Sequence, residues 1–210
     1  MWTQQMETLS KFAITQPHAS HAAYVHGLSW SYCQSTMKKV KDLMRPLEAV
    51  IREKFIPNLL DEKTPISDEM RKLYALPGRF NGLGLDNPIE DATPKYDESV
   101  QLTKQLANLL VAGESKLLID EEQLQKTKKE IKEQRNMRHK TIASALRAKF
   151  PRHLQKAMDV AQEKGGSCII TTLPLEKYDL AFKSKRDFRD LLRMRYRNGH
   201  SETTSDVCLW

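Results

Sequence analysis

The chain has 210 residues, 40% of them hydrophobic, and 34 Lys and Arg against 27 Asp and Glu give a net charge of +7. That length accommodates one domain or two small ones and excludes a long multidomain enzyme; the basic balance favours a polyanionic partner without dictating a fold. The excess is local, since residues 1–120 hold 14 basic and 15 acidic side chains while residues 121–210 hold 20 and 12.

Helical spacing dominates the first half. Trp2, Met6, Leu9 and Ala13 recur at steps of three and four until Pro17, which can only begin another helix. Ala19, Ala23, His26, Trp30, Cys33, Met37 and Val40 predict one helix, with Tyr24, Leu28 and Tyr32 giving it a second apolar side. A third helix starts at Pro46, carries Leu47, Val50, Ile51 and Phe55, and is expected to stop at Pro57. A short helix follows Ser67, with Asp68 and Glu69 in its first turn.

Residues 76–88 change character. Three Gly and two Pro among apolar residues read as an ordered connector, whose exposed amides, with Arg79, are candidates to meet a phosphate. Thr93 and Pro94 then open a helix lined by Tyr96, Val100, Thr103, Leu106 and Leu110 and closed by Gly113. From Asp120, paired with Gln123 as in a capping box, a long polar helix runs towards Phe150, its main apolar residues Leu124, Ile131, Ile142 and Leu146. After Pro151 a short amphipathic helix carries Leu154, Ala157, Met158 and Ala161. Residues 168–173 are the one β-branched run, and a lone short strand makes no sheet. Ser184 and Asp187 frame a last helix with Phe188, Leu191, Leu192 and Tyr196 on its apolar side. The fold class expected is all-α: an irregular helical bundle with one long basic helix and at most one short strand.

Enzymatic chemistry finds little to stand on. His18, His21 and His26 do not converge on a helix, so no metal or other cofactor is expected, and His26 on the apolar stripe reads as a packed core histidine. The glycines fit neither dinucleotide nor P-loop spacing, no G-x-S-x-G is present, and no close aspartate pair is available to hold two magnesium ions. Cys33, Cys168 and Cys208 are too few and too scattered for a disulfide framework or a zinc site, which suits reduced cysteines in an intracellular protein. The longest uncharged stretch is too polar to span a membrane. What remains is basic: Lys126, Lys128, Lys129, Lys132, Arg135, Arg138 and Lys140, then Arg147, Lys149 and Arg152, with no carboxylate in residues 134–152. These residues and Arg79 are the candidate contacts to an RNA or DNA backbone.

Four segments taken together suggest a family. They are Ile14-Thr15-Gln16-Pro17-His18-Ala19 with His26-Gly27-Leu28; Leu76-Pro77 through Gly82-Leu83-Gly84-Leu85 to Asn87-Pro88; Gly165-Gly166 with Leu173-Pro174-Leu175-Glu176; and Phe188-Arg189-Asp190-Leu191-Leu192 with Arg195-Tyr196. In this order they resemble the region just downstream of the polymerase palm in LINE-like, non-LTR retroelement reverse transcriptases of animals, over about residues 1–197. The resemblance implies a helical thumb that holds template and primer, followed by a basic linker. Cys168-Ile169 stands where relatives often carry a small residue and a tryptophan, and Cys208 is the only trace of a Cys/His knuckle. The fingers and palm, with their catalytic aspartates, are not in this chain.

The resulting expectation is a non-catalytic, truncated fragment of an RNA-directed DNA polymerase with affinity for nucleic acid and no small-molecule substrate. The alternative is a free-standing helical protein-interaction module. Residues 1–113 form the thumb-like region, 114–150 the basic linker, 151–197 a small helical region and 198–210 an irregular tail. Trp2, Trp30, Tyr24 and Leu28 are expected to lack partners, favouring self-association.

Overall fold

A computed structural model describes residues 1–28, 30–113, 120–163 and 184–196. The all-α expectation holds, and among these residues there is no strand. Residues 168–173, the candidate strand, and the tail lie outside them.

Helices α1 (Trp2–Ala13) and α2 (Pro17–Gly27) pack together. The single helix predicted across residues 19–40 is broken. Leu28 is extended, at φ −93° and ψ 127°, and its N–H returns to the Ala23 carbonyl at 3.2 Å. The break turns the chain so that Trp30 enters the core and α3 (Ser31–Thr36) lies along α7 (Ala92–Val111). Burial in the completed fold outweighs continuation of the periodic pattern.

Pro57 does not end its helix. α4 (Arg45–Val50) runs through a π-helical turn, Ile51–Phe55, into α5 (Ile56–Leu60). Proline in a regular helix clashes with the carbonyl four residues back. Here the widened turn, in which the Ile56 N–H reaches the Ile51 carbonyl, takes up that misfit. The helix instead closes at Asp61, which is left-handed at φ 59°.

α6 (Asp68–Ala75) starts as predicted, with Ser67 Oγ accepting from the Met70 N–H at 3.2 Å. α7 (Ala92–Val111) ends before Gly113 at φ 71°, also as predicted. Its inward stripe differs: Val100 and Leu110 are exposed, and buried Glu98 takes the inner side because Arg135 and Arg138 of the following helix come to it. α8 (Glu121–Lys149), α9 (Arg152–Gln162) and α10 (Lys185–Tyr196) complete the fold. The capping box of α10 is fully made, with the Ser184 N–H donating to Asp187 Oδ2 at 3.0 Å and the Asp187 N–H to Ser184 Oγ at 3.3 Å.

One hydrophobic cluster runs from Met6 through Phe55, Leu73 and Leu85 to Phe188 and Tyr196. Tyr24 and Trp30 are buried in it, and Trp2 and Leu28 pack against it, so the four residues expected to lack partners have them within the chain.

Three of the four segments named above meet here. Arg189, buried on α10, donates to the carbonyls of Ala13 (3.3 Å), Ile14 (3.2 Å), Asn58 (2.9 Å) and Leu59 (3.4 Å), capping α1 and α5 together. The connector is clamped from all sides. His21 Nε2–H donates to the Leu83 carbonyl at 2.7 Å, the Tyr24 hydroxyl to the Asp86 backbone carbonyl at 2.8 Å and the Tyr196 hydroxyl to the Asn81 backbone carbonyl at 2.8 Å. Arg71, paired with buried Glu48 at 2.6 and 2.8 Å, donates to the Leu85 carbonyl at 2.8 Å. The fourth segment lies outside the described residues.

Candidate nucleic-acid interface

The amides of residues 80–85 in the connector are not available to a phosphate. Those of Leu83 and Leu85 both reach the Tyr74 carbonyl, at 3.1 and 3.0 Å, while Gly84 reaches Leu76 at 2.9 Å and Asn81 reaches Gly78 at 2.9 Å. Spending them internally satisfies a chain segment that enters the core.

The histidines sort differently from expectation. His26 is exposed, whereas His18 and His21 are buried beside Phe188, with ring centroids 5.0 and 6.0 Å away. Pro17 and Gly27 bound a helix whose inner side is therefore 17, 18, 20, 21 and 24. The pattern of small residues around it hid that side.

α8 carries most of the candidate contacts. Asp120 Oδ1 accepts from the Gln123 N–H at 3.0 Å, Glu121 and Glu122 complement the positive end of the helix dipole, and Arg147 and Lys149 sit at the other end. Ile131, Ala143 and Leu146 are its buried residues. The helix packs on α6, α7 and α9.

Although residues 134–152 contain no carboxylate, the fold supplies them from other elements. Glu98 on α7, only 12% exposed, lies between Arg135 and Arg138, the latter at 3.6 Å. Arg147 forms a two-pronged pair with Asp159 of α9 at 2.9 and 3.0 Å, and the arginine holds that carboxyl below its ordinary range. Lys149 lies 3.7 Å from Glu69. Arg79 reaches across from the connector to donate to Asn136 Oδ1. These five residues thus anchor α8 to the body. The signal for Glu98 in the sequence is its step of four to half-buried Leu102 on the inner side of α7.

The other candidates stand apart. Lys126, Lys128, Lys129, Lys132, Lys140 and Arg152 are exposed, and none makes an ion pair among the described residues. At about 100° per residue, Lys126, Lys129 and Lys140 fall within about 60° of one another, opposite Ile131 and Ile142. They span about 21 Å of helix axis. The fold therefore divides one basic run into an anchoring side and a lysine face turned to solvent.

Comparison with protein-family models, curated proteins and solved structures finds no match to this chain. Among the described residues no helix is long and apolar enough to cross a membrane.

Proposed function

We propose that this chain is a non-catalytic nucleic-acid-binding module that tracks a single-stranded RNA or DNA backbone through the lysine face of α8. The observation carrying this reading is the separation of Lys126, Lys129 and Lys140, exposed and free of ion pairs among the described residues, from the arginines that hold the helix in place. Lysines on a rigid helix attract phosphates without reading bases. No Phe, Tyr or Trp lies between Tyr96 and Phe150 to stack them. The resemblance to the thumb-proximal region of non-LTR reverse transcriptases agrees with such a role, as one part of an intracellular polymerase polypeptide whose catalytic aspartates lie elsewhere.

The test is fluorescence anisotropy with single-stranded RNA, comparing the full chain with a variant in which Lys126, Lys129, Lys132 and Lys140 become Gln. Affinity is expected to fall by about tenfold or more at low salt, with no dependence on base sequence. Unchanged affinity would move the reading to the protein-interaction alternative. Purified chain is also expected to show no template-dependent DNA synthesis.

A further inference from the structure

Two cavities adjoin where the connector passes between α2, α7 and α8. One, of about 470 Å³, is lined by Tyr24, Val25, Leu28 and Trp30. The other, of about 490 Å³, is lined by Arg79, Arg135, Asn136 and Arg138. Pro77, Asp86, Lys95 and His139 belong to both walls and join them. The result is a cleft that is apolar at one end, where Val25 and Leu28 carry the accessible surface over the buried Tyr24 and Trp30, and cationic at the other.

The charges in the cationic half are mostly answered from within. Lys95 Nζ lies 3.0 Å from Asp86, and Glu98 sits between Arg135 and Arg138. Arg79 differs. Among the described residues it meets no carboxylate, only the Asn136 amide and the Phe80 ring, over which its guanidinium lies at 5.1 Å. Asp91 is the remaining carboxylate of this wall. At the junction His139 Nδ1 is buried with no hydrogen-bond partner. A buried polar atom left unmatched carries a cost that a ligand group placed opposite it removes.

We propose that this two-part cleft binds a nucleoside phosphate, with the base against Val25 and Leu28 at the apolar end and the phosphate at Arg79. A pocket of a few hundred cubic ångströms with an apolar wall and a few convergent polar groups suits a ligand of that size. A guanidinium without a carboxylate partner suits its phosphate. The ligand has two possible sources, a free nucleotide or the phosphorylated end of a strand. The second rests on the nucleic-acid reading above.

Calorimetric titration of the full chain with adenosine 5′-monophosphate, adenosine and inorganic phosphate tests this. The nucleotide is expected to bind about tenfold more tightly than either half alone. Arg79→Ala and Val25→Trp, which remove the cation and fill the apolar end, should each weaken it by about tenfold. Adenosine or phosphate binding as tightly as the nucleotide would overturn the proposal, as would unchanged nucleotide binding in both variants. A 5′-phosphorylated trinucleotide competing as well as the mononucleotide supports the cleft as a strand-end site; about tenfold weaker competition supports it as a free-nucleotide site. RNA binding without nucleotide binding refutes the cleft and leaves the lysine face standing. Loss of nucleotide binding together with RNA binding in the lysine-face variant would place the nucleotide on α8 and overturn the cleft as well.

Discussion

At His21 the ring must carry its proton on Nε2, because its partner, the Leu83 carbonyl, can only accept. Burial pulls its pKa from 6.5 down to about 4. The unfolded chain therefore takes up a proton in that window that the folded chain refuses, and stability falls as pH drops through it. Asp91 acts in the opposite sense. Burial raises its carboxyl from 3.8 to about 6, so the folded chain gains the proton first and stability rises as pH falls through that range. Replacing His21 by Gln, which keeps a donor for Leu83, is expected to raise the melting temperature on acidification relative to the parent. Asp91→Asn is expected to lower it relative to the parent over the same range. Thermal melts across the pH window separate the two, and three parallel profiles would contradict both assignments. Gly82 makes a different demand: a Cβ there would sit 1.8 Å from the Leu76 carbonyl oxygen. Gly82→Ala should cost about 4 kcal/mol or more and be seen as loss of the folded species in denaturant titration.

At the scale of elements, the starts of helices were the most legible features. Ser67, Asp120 and Ser184 announce themselves because a cap is a bond to a backbone N–H a few residues away. The break after Gly27 and the π-helical turn before Pro57 were not legible. Both are settled by where Trp30, Phe55 and Ile56 must be buried, which depends on segments far along the chain. The lysines of α8 could be named from the sequence, but their division into anchoring and free groups could not, since Glu98, Glu69 and Asp159 reach them only through the fold. Arg189 shows the same dependence. Arg189→Met should destabilise by about 3–5 kcal/mol, because the carbonyl ends of α1 and α5 lose their common donor, and Arg189→Lys should recover little without the planar fork. Chemical denaturation measures both. Glu98→Ala should cost about 1–3 kcal/mol by leaving Arg135 and Arg138 without their shared carboxylate. Hydrogen exchange should then rise in α8 ahead of α1, whereas equal protection would mean that Glu98 does not hold the two helices together.

For the whole molecule, the distribution of charge decides the reading. The half before residue 120 is nearly neutral and contributes the clamped connector and most of the core. The half after it carries the surplus and closes back on the first through Phe188, Arg189 and Tyr196. Because these residues tie the last described helix to the first half of the chain, the proposed binding is expected of the intact protein rather than of a detachable basic tail. The most direct measurement is the affinity of the full chain for single-stranded RNA as a function of salt. About four phosphates engaged at once, at about −0.7 each, predict a slope of log K against log salt of roughly −3. In the protein with Lys126, Lys129, Lys132 and Lys140 changed to Gln, that slope should shrink towards zero. A slope near zero in the unaltered chain, or one that the four substitutions leave unchanged, would contradict the account.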